Sequence, residues 1–498
     1  MSMDLVRRAV ARRSLLVLAA VVTALAGSVL FASGARSAPA QAQYGAWGSG
    51  TLSEQDLNAL VAQMSLDEKI GMVHGGSDPA ADCSTAAVGC VGQAGYIPGV
   101  RRLGIPPLRL TDGPAGVRLS HNETALPAPV GLTASFDPQA ARTFGEVEGS
   151  EGRATNQDVL LAPMINQVNY PTGGRNFETT GEDPLLGGQI GRQLVEGIQS
   201  QGLIATVKHF VENDFENSRN STNVKIDERT LHETELQAFE ATMAADPGAV
   251  MCSYNRVNDV YACSNDALQN GVLRSQLGFS GWIMSDWGAT HRVSDLINGL
   301  DMSMPSGNVF STTNLTNAVT NGTAAIPATT DLPAVPAYSG AQWQAALDSA
   351  VLRILRAMNK AGLLEGTAFG SHHTDGTPFV PARPSLAALR ASSTEAAREI
   401  ADKSATLLKN DKNGLPLSPS TFSGSGTLVL GPTAVAPYIG GGGSAHVTPY
   451  EPVTSPFDAL AAAAGKGGLR WLPGYDLDGE LVPASAVTAF AGSAFAGQ

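Results

Sequence analysis

The polar residues with the most chemical promise stand at the ends of short apolar runs. Asp112 follows Pro107–Thr111 (PLRLT), Lys208 ends Ile204–Lys208 (IATVK) with His209 next, Tyr254 ends Ala249–Tyr254 (AVMCSY), and Asp286 follows Gly281–Ser285 (GWIMS). A buried carboxylate can serve as a nucleophile, and cationic side chains donate strong hydrogen bonds to substrate oxygens. One charge after a strand has an ordinary explanation as a helix cap or loop residue. Five such residues from four runs read as an active site.

Their positions require particular elements. Near-continuous apolar runs of this length, with Val159–Pro163 (VLLAP) as a fifth, suit strands buried on both faces. Amphipathic stretches such as Gly188–Gln201 and Glu228–Ala245 separate them; in the second, Leu231, Glu235, Ala238 and Thr242 fall on successive turns, and Leu236 and Phe239 add an apolar face. The alternation predicts an α/β fold, most simply a TIM-type (β/α)8 barrel, regular or collapsed, whose strand C-termini carry the chemistry. Residues 305–341 read as loop, and Trp343–Leu363 reads as a helix with Leu347, Val351, Ile354 and Met358 on one face. Gly366–Pro384 lacks periodicity and reads as linker, with His372 and His373 as solvated loop residues. From Ser393 a helix to about Lys403, a strand Thr406–Lys409 and a strand Thr427–Leu430 suggest a second α/β domain. The expected organisation is a signal peptide over 1–40, a catalytic barrel over 50–364, a linker over 365–392, and over 393–498 the first part of an α/β sandwich domain that is incomplete.

Composition narrows the function. The 498 residues carry 32 Lys plus Arg against 45 Asp plus Glu, a formal charge of −13. Residues 1–40 contribute five Arg and one Asp, so their removal takes the balance to −17. Such acidity argues against nucleic acid or an anionic membrane surface as partner. Arg7, Arg8, Arg12 and Arg13 precede an apolar stretch, Leu15–Ala32, and Ala38-Pro39-Ala40 is a small-x-small cleavage site. This is the pattern of an export signal and a secreted protein, with no stable membrane partner after cleavage; an uncleaved anchor is the alternative. Cys83 with Cys90, and Cys252 with Cys263, form two close pairs, each able to close a short loop by a disulfide in an oxidising compartment. Free thiols or zinc ligands are the other readings, and the spacing disfavours zinc.

The motifs TDGPAGVR (111–118), GGRNFETTGEDP (173–184), VKHF (207–210), VMCSYNRVND (250–259), SDWG (285–288), GLDMSMP (299–305) and GGGGSAHVTPYEPVTSPFDAL (440–460) together resemble glycoside hydrolase family 3, in particular its β-glucosidase branch. The resemblance runs from about residue 52 to about residue 475. It implies a retaining glycosidase that removes terminal non-reducing β-D-glucosyl residues by double displacement. It makes Asp286 the nucleophile, with Trp287 beside it as an aromatic face for the sugar. Asp112 would grip hydroxyls of the terminal sugar, and Arg118, Arg175, Lys208 and His209 would donate to it. Met251 and Tyr254, alternating on one strand, would face the same side, with Tyr254 orienting Asp286; a plain core methionine serves equally for Met251. Arg219 also matches, in a structural or direct role. Ser444, on the glycine-rich loop, would be a sugar contact or part of a flexible connector. No metal or organic cofactor is implied, and the partner is a β-glucoside, oligosaccharide or aryl/alkyl.

Absences sharpen the subclass. After Phe210 the chain reads Val-Glu-Asn-Asp-Phe-Glu-Asn, without the Pro-Gly-His-Gly-like stretch of the family's β-N-acetylglucosaminidases. Asp112-Gly113-Pro114 replaces the Glu-Ala-Leu-His-Gly-like segment of the β-xylosidase branch. The branch supplies its general acid/base Glu from the second domain, beyond the glycine-rich loop. Here only Glu451 and Glu480 follow Glu399, and neither lies in the expected motif. The sequence therefore reads as C-terminally truncated and leaves the acid/base unassigned. The competing readings are a carbohydrate-binding remnant, or a β-xylosidase or transglycosylase of the same family.

Overall fold

A computed structural model describes residues 47–48, 50–78, 93–119, 123–364, 384–422, 427–450, 452–464 and 468–474. The signal-peptide reading, the pairing of Cys83 with Cys90, the His372-His373 reading, and Glu451 and Glu480 fall outside the described residues. Among those described, no helix is long and apolar enough to cross a membrane.

All five apolar runs become strands. After β1 (Gly95–Ile97) come β2 (Leu108–Asp112), β3 (Val159–Leu161), β4 (Ile204–Phe210), β5 (Ala249–Cys252) and β6 (Trp282–Ser285), hydrogen-bonded in that order into one curled sheet. From β2 to β6 every pairing is parallel. Strand β1 is antiparallel to β2, with Gly95 opposite Leu110. The link between them holds only a 3-10 turn, Arg101–Leu103, too little chain for the helical crossover that parallel strands need. Beyond β6 the hydrogen bonding continues through two isolated bridges, Met284 to Met302 and His74 to Ser303. The Gly76 amide then donates to the Tyr96 carbonyl at 2.8 Å. Of the barrel expected from the sequence, regular or collapsed, the described residues show a curled α/β sheet of six ordered strands continued by single bridges.

The helices start where the sequence offers caps. Helix α1 (Glu54–Gln63) has a Ser53/Asp56 capping box. Helices α2 (Pro138–Ala154) and α3 (Pro184–Ser200) each follow an Asp N-cap, Asp137 and Asp183, with proline at the first helical position. Helix α4 (Leu236–Met243) continues a helical segment from Glu228 through a π-helical stretch, Leu231–Glu235. Helix α5 (Thr312–Asn321) lies where the sequence reads as loop. Its Thr and Asn residues are poor helix formers, but Ser311 caps it and Leu315 and Ala318 are buried. Helix α6 (Gly340–Lys360) buries Leu347, Val351, Ile354 and Met358 as its periodicity predicts.

The second region departs further from expectation. Helix α7 (Leu386–Ser404) starts inside the expected linker. It packs on the first layer of helices: Ile400 joins Leu132, Ala140, Ala141 and Phe144 in one cluster, and Lys403 pairs with Asp137 at 2.5 Å. Thr406–Lys409 forms no strand; Leu407 and Leu408 are exposed, and no described strand lies beside them to complete a ladder. Strands β7 (Thr427–Leu430) and β8 (Leu469–Leu472) pair in parallel. The chain between them returns to the first region, where the Glu123 amide donates to the Thr448 carbonyl at 3.1 Å and the Tyr450 amide to Glu123 at 3.2 Å.

Candidate functional site

Four of the strands deliver their polar residues to the same end of the sheet. Asp112 is the last residue of β2, Tyr254 lies two residues after β5, and Asp286 directly follows β6. Lys208 and His209 are neighbours in β4 and would point to opposite faces of a regular strand. The register between β4 and β5 shifts here: Lys208 pairs with Met251 and Phe210 with Cys252, leaving His209 out of the ladder. Such a bulge re-aims a side chain, and both residues reach one cavity.

That cavity has a volume of about 580 Å³, inside the range of small-molecule sites. Its lining includes all ten residues singled out for catalysis or sugar contact: Asp112, Arg118, Arg175, Lys208, His209, Met251, Tyr254, Asp286, Trp287 and Ser444. Arg219 lines it too. Asp286 is only 7 % exposed. Its Oδ1 accepts the Trp287 amide at 2.7 Å, and its Oδ2 lies 3.6 Å from His209 Nε2. The single Tyr254 hydroxyl proton faces two acceptors, the Asp286 carboxylate and the Trp287 carbonyl, the latter at 3.3 Å. Trp287 is held by its indole N–H, which donates to the Ala94 carbonyl at 3.2 Å. Arg118 Nη1 and Lys208 Nζ flank Asp112 at 3.3 and 3.9 Å.

Arg175 ties the cavity walls together. Its Nε donates to Glu178, and its Nη1 faces Glu216 at 3.5 Å and His209 Nε2 at 3.3 Å. Its Nη2 donates to Ser444 Oγ at 2.9 Å, which brings the glycine-rich loop to the rim. Gly441 on that loop has φ +59°, and a Cβ there would stand 2.8 Å from the Phe177 ring, so only glycine lets the loop approach this closely. Arg219 pairs with Glu216 at 2.6 Å and covers the Tyr254 ring at 4.3 Å.

Burial dominates the electrostatics. It raises the Asp286 carboxyl above the ordinary aspartate value, against the Trp287 amide, the Tyr254 hydroxyl, Lys208 and Arg175, which favour the ionised form. Burial lowers Lys208, opposed by Asp112. It also holds His209 well below the usual imidazole value, with Arg175, Lys208 and Arg219 adding to the effect. For Arg175, burial acts to lower the value, but Glu178, Glu216 and Asp286 outweigh it.

The sequence reading did not single out Glu178, Glu216 or Asn166; Glu178 serves here as the ion-pair partner of Arg175. Asn166 exchanges hydrogen bonds with the His209 backbone, accepting at 2.7 Å and donating at 3.0 Å. Glu216 carries the signal of an acid three residues before Arg219, but an i,i+3 ion pair is too common to mark a site. Nothing in its neighbourhood marks Asn166. Of the two expected cysteine pairs, Cys252 and Cys263 are joined by a disulfide, with a Cα separation of 5.2 Å. The other expected disulfide, between Cys83 and Cys90, lies outside the described residues.

Comparison with known proteins identifies the family of the chain. The model of the glycosyl hydrolase family 3 N-terminal domain matches residues 82–332. A probable beta-glucosidase A of Aspergillus terreus is 36 % identical over 392 residues, covering 72 % of this chain and 42 % of that protein. Beta-glucosidase 1 of Aspergillus aculeatus is 34 % identical over 393 residues, with the same coverages. Among solved structures, DesR, a beta-glucosidase from Streptomyces venezuelae in complex with D-glucose, superposes with a TM-score of 0.72 at 38 % identity, covering 86 % of this chain and 50 % of DesR. Beta-glucosidase 3B from Thermotoga neapolitana gives 0.66 at 28 % identity, covering 83 % and 55 %. The chain thus spans about half the length of the proteins it matches. With the family model matching half of its residues, the chain belongs to glycosyl hydrolase family 3.

Proposed function

We propose that this chain carries the glucosyl-binding and nucleophilic half of a retaining β-glucosidase, on a collapsed (β/α)8 barrel. The observation that carries this reading is Asp286: a buried carboxylate, fixed by the Trp287 amide and the Tyr254 hydroxyl, in the wall of a cavity otherwise rich in hydrogen-bond donors. A carboxylate oxygen of Asp286 attacks the anomeric carbon while the bond to the aglycone oxygen breaks; water then displaces Asp286 and releases glucose with its configuration retained. Asp112, Arg118, Arg175, Lys208 and His209 hold the sugar hydroxyls, Met251 and Trp287 face the ring, and Ser444 closes the rim. Glu178 and Glu216 serve as counter-ions to Arg175. No acid/base residue is assigned. The beta-glucosidases that the chain resembles, one of them holding D-glucose, support a glucoside as substrate. The basic, apolar, small-residue N-terminus supports export of the protein.

The test is the intact mass of the purified, folded chain after exposure to a 2-deoxy-2-fluoro-β-glucoside with a dinitrophenolate-type leaving group, which departs without acid assistance. One glycosyl adduct mapping to Asp286, and none on an Asp286→Asn variant, is the expected result. An adduct at another residue overturns the assignment. Saturable glucose binding by a chain that forms no adduct would favour a carbohydrate-binding role.

A further inference from the structure

Helix α2 (Pro138–Ala154) buries two carboxylates that the proposed reaction does not use. Glu148 and Glu151 are neighbours on one helix face, 2 % and 1 % exposed, and neither lines the cavity. Both accept hydrogen bonds from the chain that follows Asp112. Glu148 Oε1 takes the Gly116 amide at 3.2 Å. Glu151 takes Thr124 twice, the amide on Oε2 at 2.8 Å and the hydroxyl on Oε1 at 2.6 Å. The same chain is also pinned to itself: the Arg118 amide donates to the Asp112 carbonyl at 2.9 Å, and the Leu126 amide to the Ala115 carbonyl at 3.1 Å. Gly116 has φ +115°, and a Cβ there would stand 2.4 Å from the Thr124 carbonyl oxygen, so the two limbs touch. Asp112 and Arg118, both in the cavity wall, thus take their places from a loop gripped by two buried acids.

Glu151 has further partners on the second region. The Ser393 hydroxyl on α7 hydrogen-bonds to it, and Arg390, three residues earlier on α7, adds an opposite charge. Ser393 is 2 % exposed. Arg390 also covers the ring of Tyr450, whose amide donates to the carbonyl of Glu123, the neighbour of Thr124. Val447, in the same stretch, would meet a Cβ on Gly116 at 3.2 Å. One carboxylate therefore joins α2, α7 and the loop that presents Asp112 and Arg118. Burial raises the Glu151 carboxyl, and Thr124, Ser393 and Arg390 oppose that by favouring the ionised form. Partners on α7 that keep it ionised also strengthen its hold on Thr124, because a charged acceptor makes the stronger hydrogen bond.

We propose that Glu151 is a positioning residue that couples the docking of α7 to the loop presenting Asp112 and Arg118, and so sets how tightly the cavity holds the sugar. The proposal rests on the reading of Asp112 and Arg118 as sugar contacts. Asp286 follows β6 and keeps its own partners, Trp287 and Tyr254, so affinity and not the saturated rate is the quantity that should respond.

The experiment measures two things on the purified full chain. One is the rate of adduct formation against concentration of the 2-deoxy-2-fluoro-β-glucoside, which separates apparent affinity from saturated rate. The other is hydrogen–deuterium exchange at the Thr124 amide. Glu151→Ala should weaken affinity about tenfold or more, with the saturated rate retained and Thr124 exchange accelerated. Glu151→Gln keeps one acceptor oxygen and should recover most of the loss. Arg390→Met with Ser393→Ala leaves Glu151 and the cavity lining intact, so it stays informative if Glu151→Ala does not fold. It should weaken affinity roughly 2- to 10-fold and accelerate Thr124 exchange. Unchanged affinity and exchange in that double variant overturn the proposal, as does a loss confined to the saturated rate. If the parent forms no adduct, the glucosidase reading fails by itself, and Thr124 exchange still decides whether Glu151 ties the loop to α7.

Discussion

His209 Nε2 faces Asp286 Oδ2 at 3.6 Å as a neutral imidazole beside a carboxylate, not as an ion pair. Burial and three nearby cations, Arg175, Lys208 and Arg219, oppose a charge on the ring. Arg175 Nη1 stands 3.3 Å from Nε2 and can only donate, so Nε2 accepts and the ring proton sits on Nδ1, 3.4 Å from Asn166 Oδ1. The ring signals of His209 in NMR should therefore stay constant between about pH 5 and 8. A midpoint near the ordinary imidazole value would refute this.

The raised Asp286 carboxyl sets the acid side of any activity that needs it ionised. Activity is present above the folded value and lost as pH falls through it. With an activated β-glucoside, kcat/KM should decline with an apparent pKa above the ordinary aspartate value of about 3.9. A decline at or below that value would show that Lys208, Arg175 and Tyr254 overcome the burial.

Ser444→Ala removes the hydrogen bond that Arg175 makes to the glycine-rich loop. A hydrogen bond to a charged group contributes about 1.5–3 kcal/mol, so kcat/KM should fall roughly 10- to 150-fold with little change in Tm. Unchanged kinetics would make the loop a connector.

The Cys252–Cys263 disulfide closes a loop of sequence separation 11, and both cysteines are fully buried. Cys252→Ser with Cys263→Ser should cost about 2–3 kcal/mol in denaturant unfolding. It should also lower kcat, because Tyr254 lies two residues beyond Cys252 and the Asp286 amide donates to the Cys252 carbonyl at 3.2 Å. Equal stability with and without the bridge would contradict this account.

Asp301, in the GLDMSMP motif, lies outside the cavity lining. Fully buried, it pairs with Arg274 at 2.5 Å and Arg353 at 2.6 Å and accepts the Ile283 amide at 2.8 Å. Asp301→Asn should lower stability by about 3–5 kcal/mol, through two arginines losing a buried partner. Sugar affinity of the folded fraction should be unchanged; altered affinity at equal stability would place Asp301 in recognition instead.

The five strands and their terminal polar residues were legible because burial on both faces leaves an unbroken apolar run that ends where the chain meets the cavity. Helix α6 was legible from its 3.6-residue period. Helix α5 was not, since its Thr and Asn residues are helical only through packing. The strand expected at Thr406–Lys409 failed for the converse reason: an apolar run is a strand only when a partner lies beside it.

By itself, then, the sequence determined the α/β alternation, the family motifs and the ten residues that line one cavity, because these follow from local patterns and residue chemistry. Only the tertiary structure decided the bulge that turns His209 beside Lys208, the antiparallel β1, and the docking of α7 on the first helical layer. Each depends on residues far apart in the chain, or on a register between strands, and neither is written in local spacing.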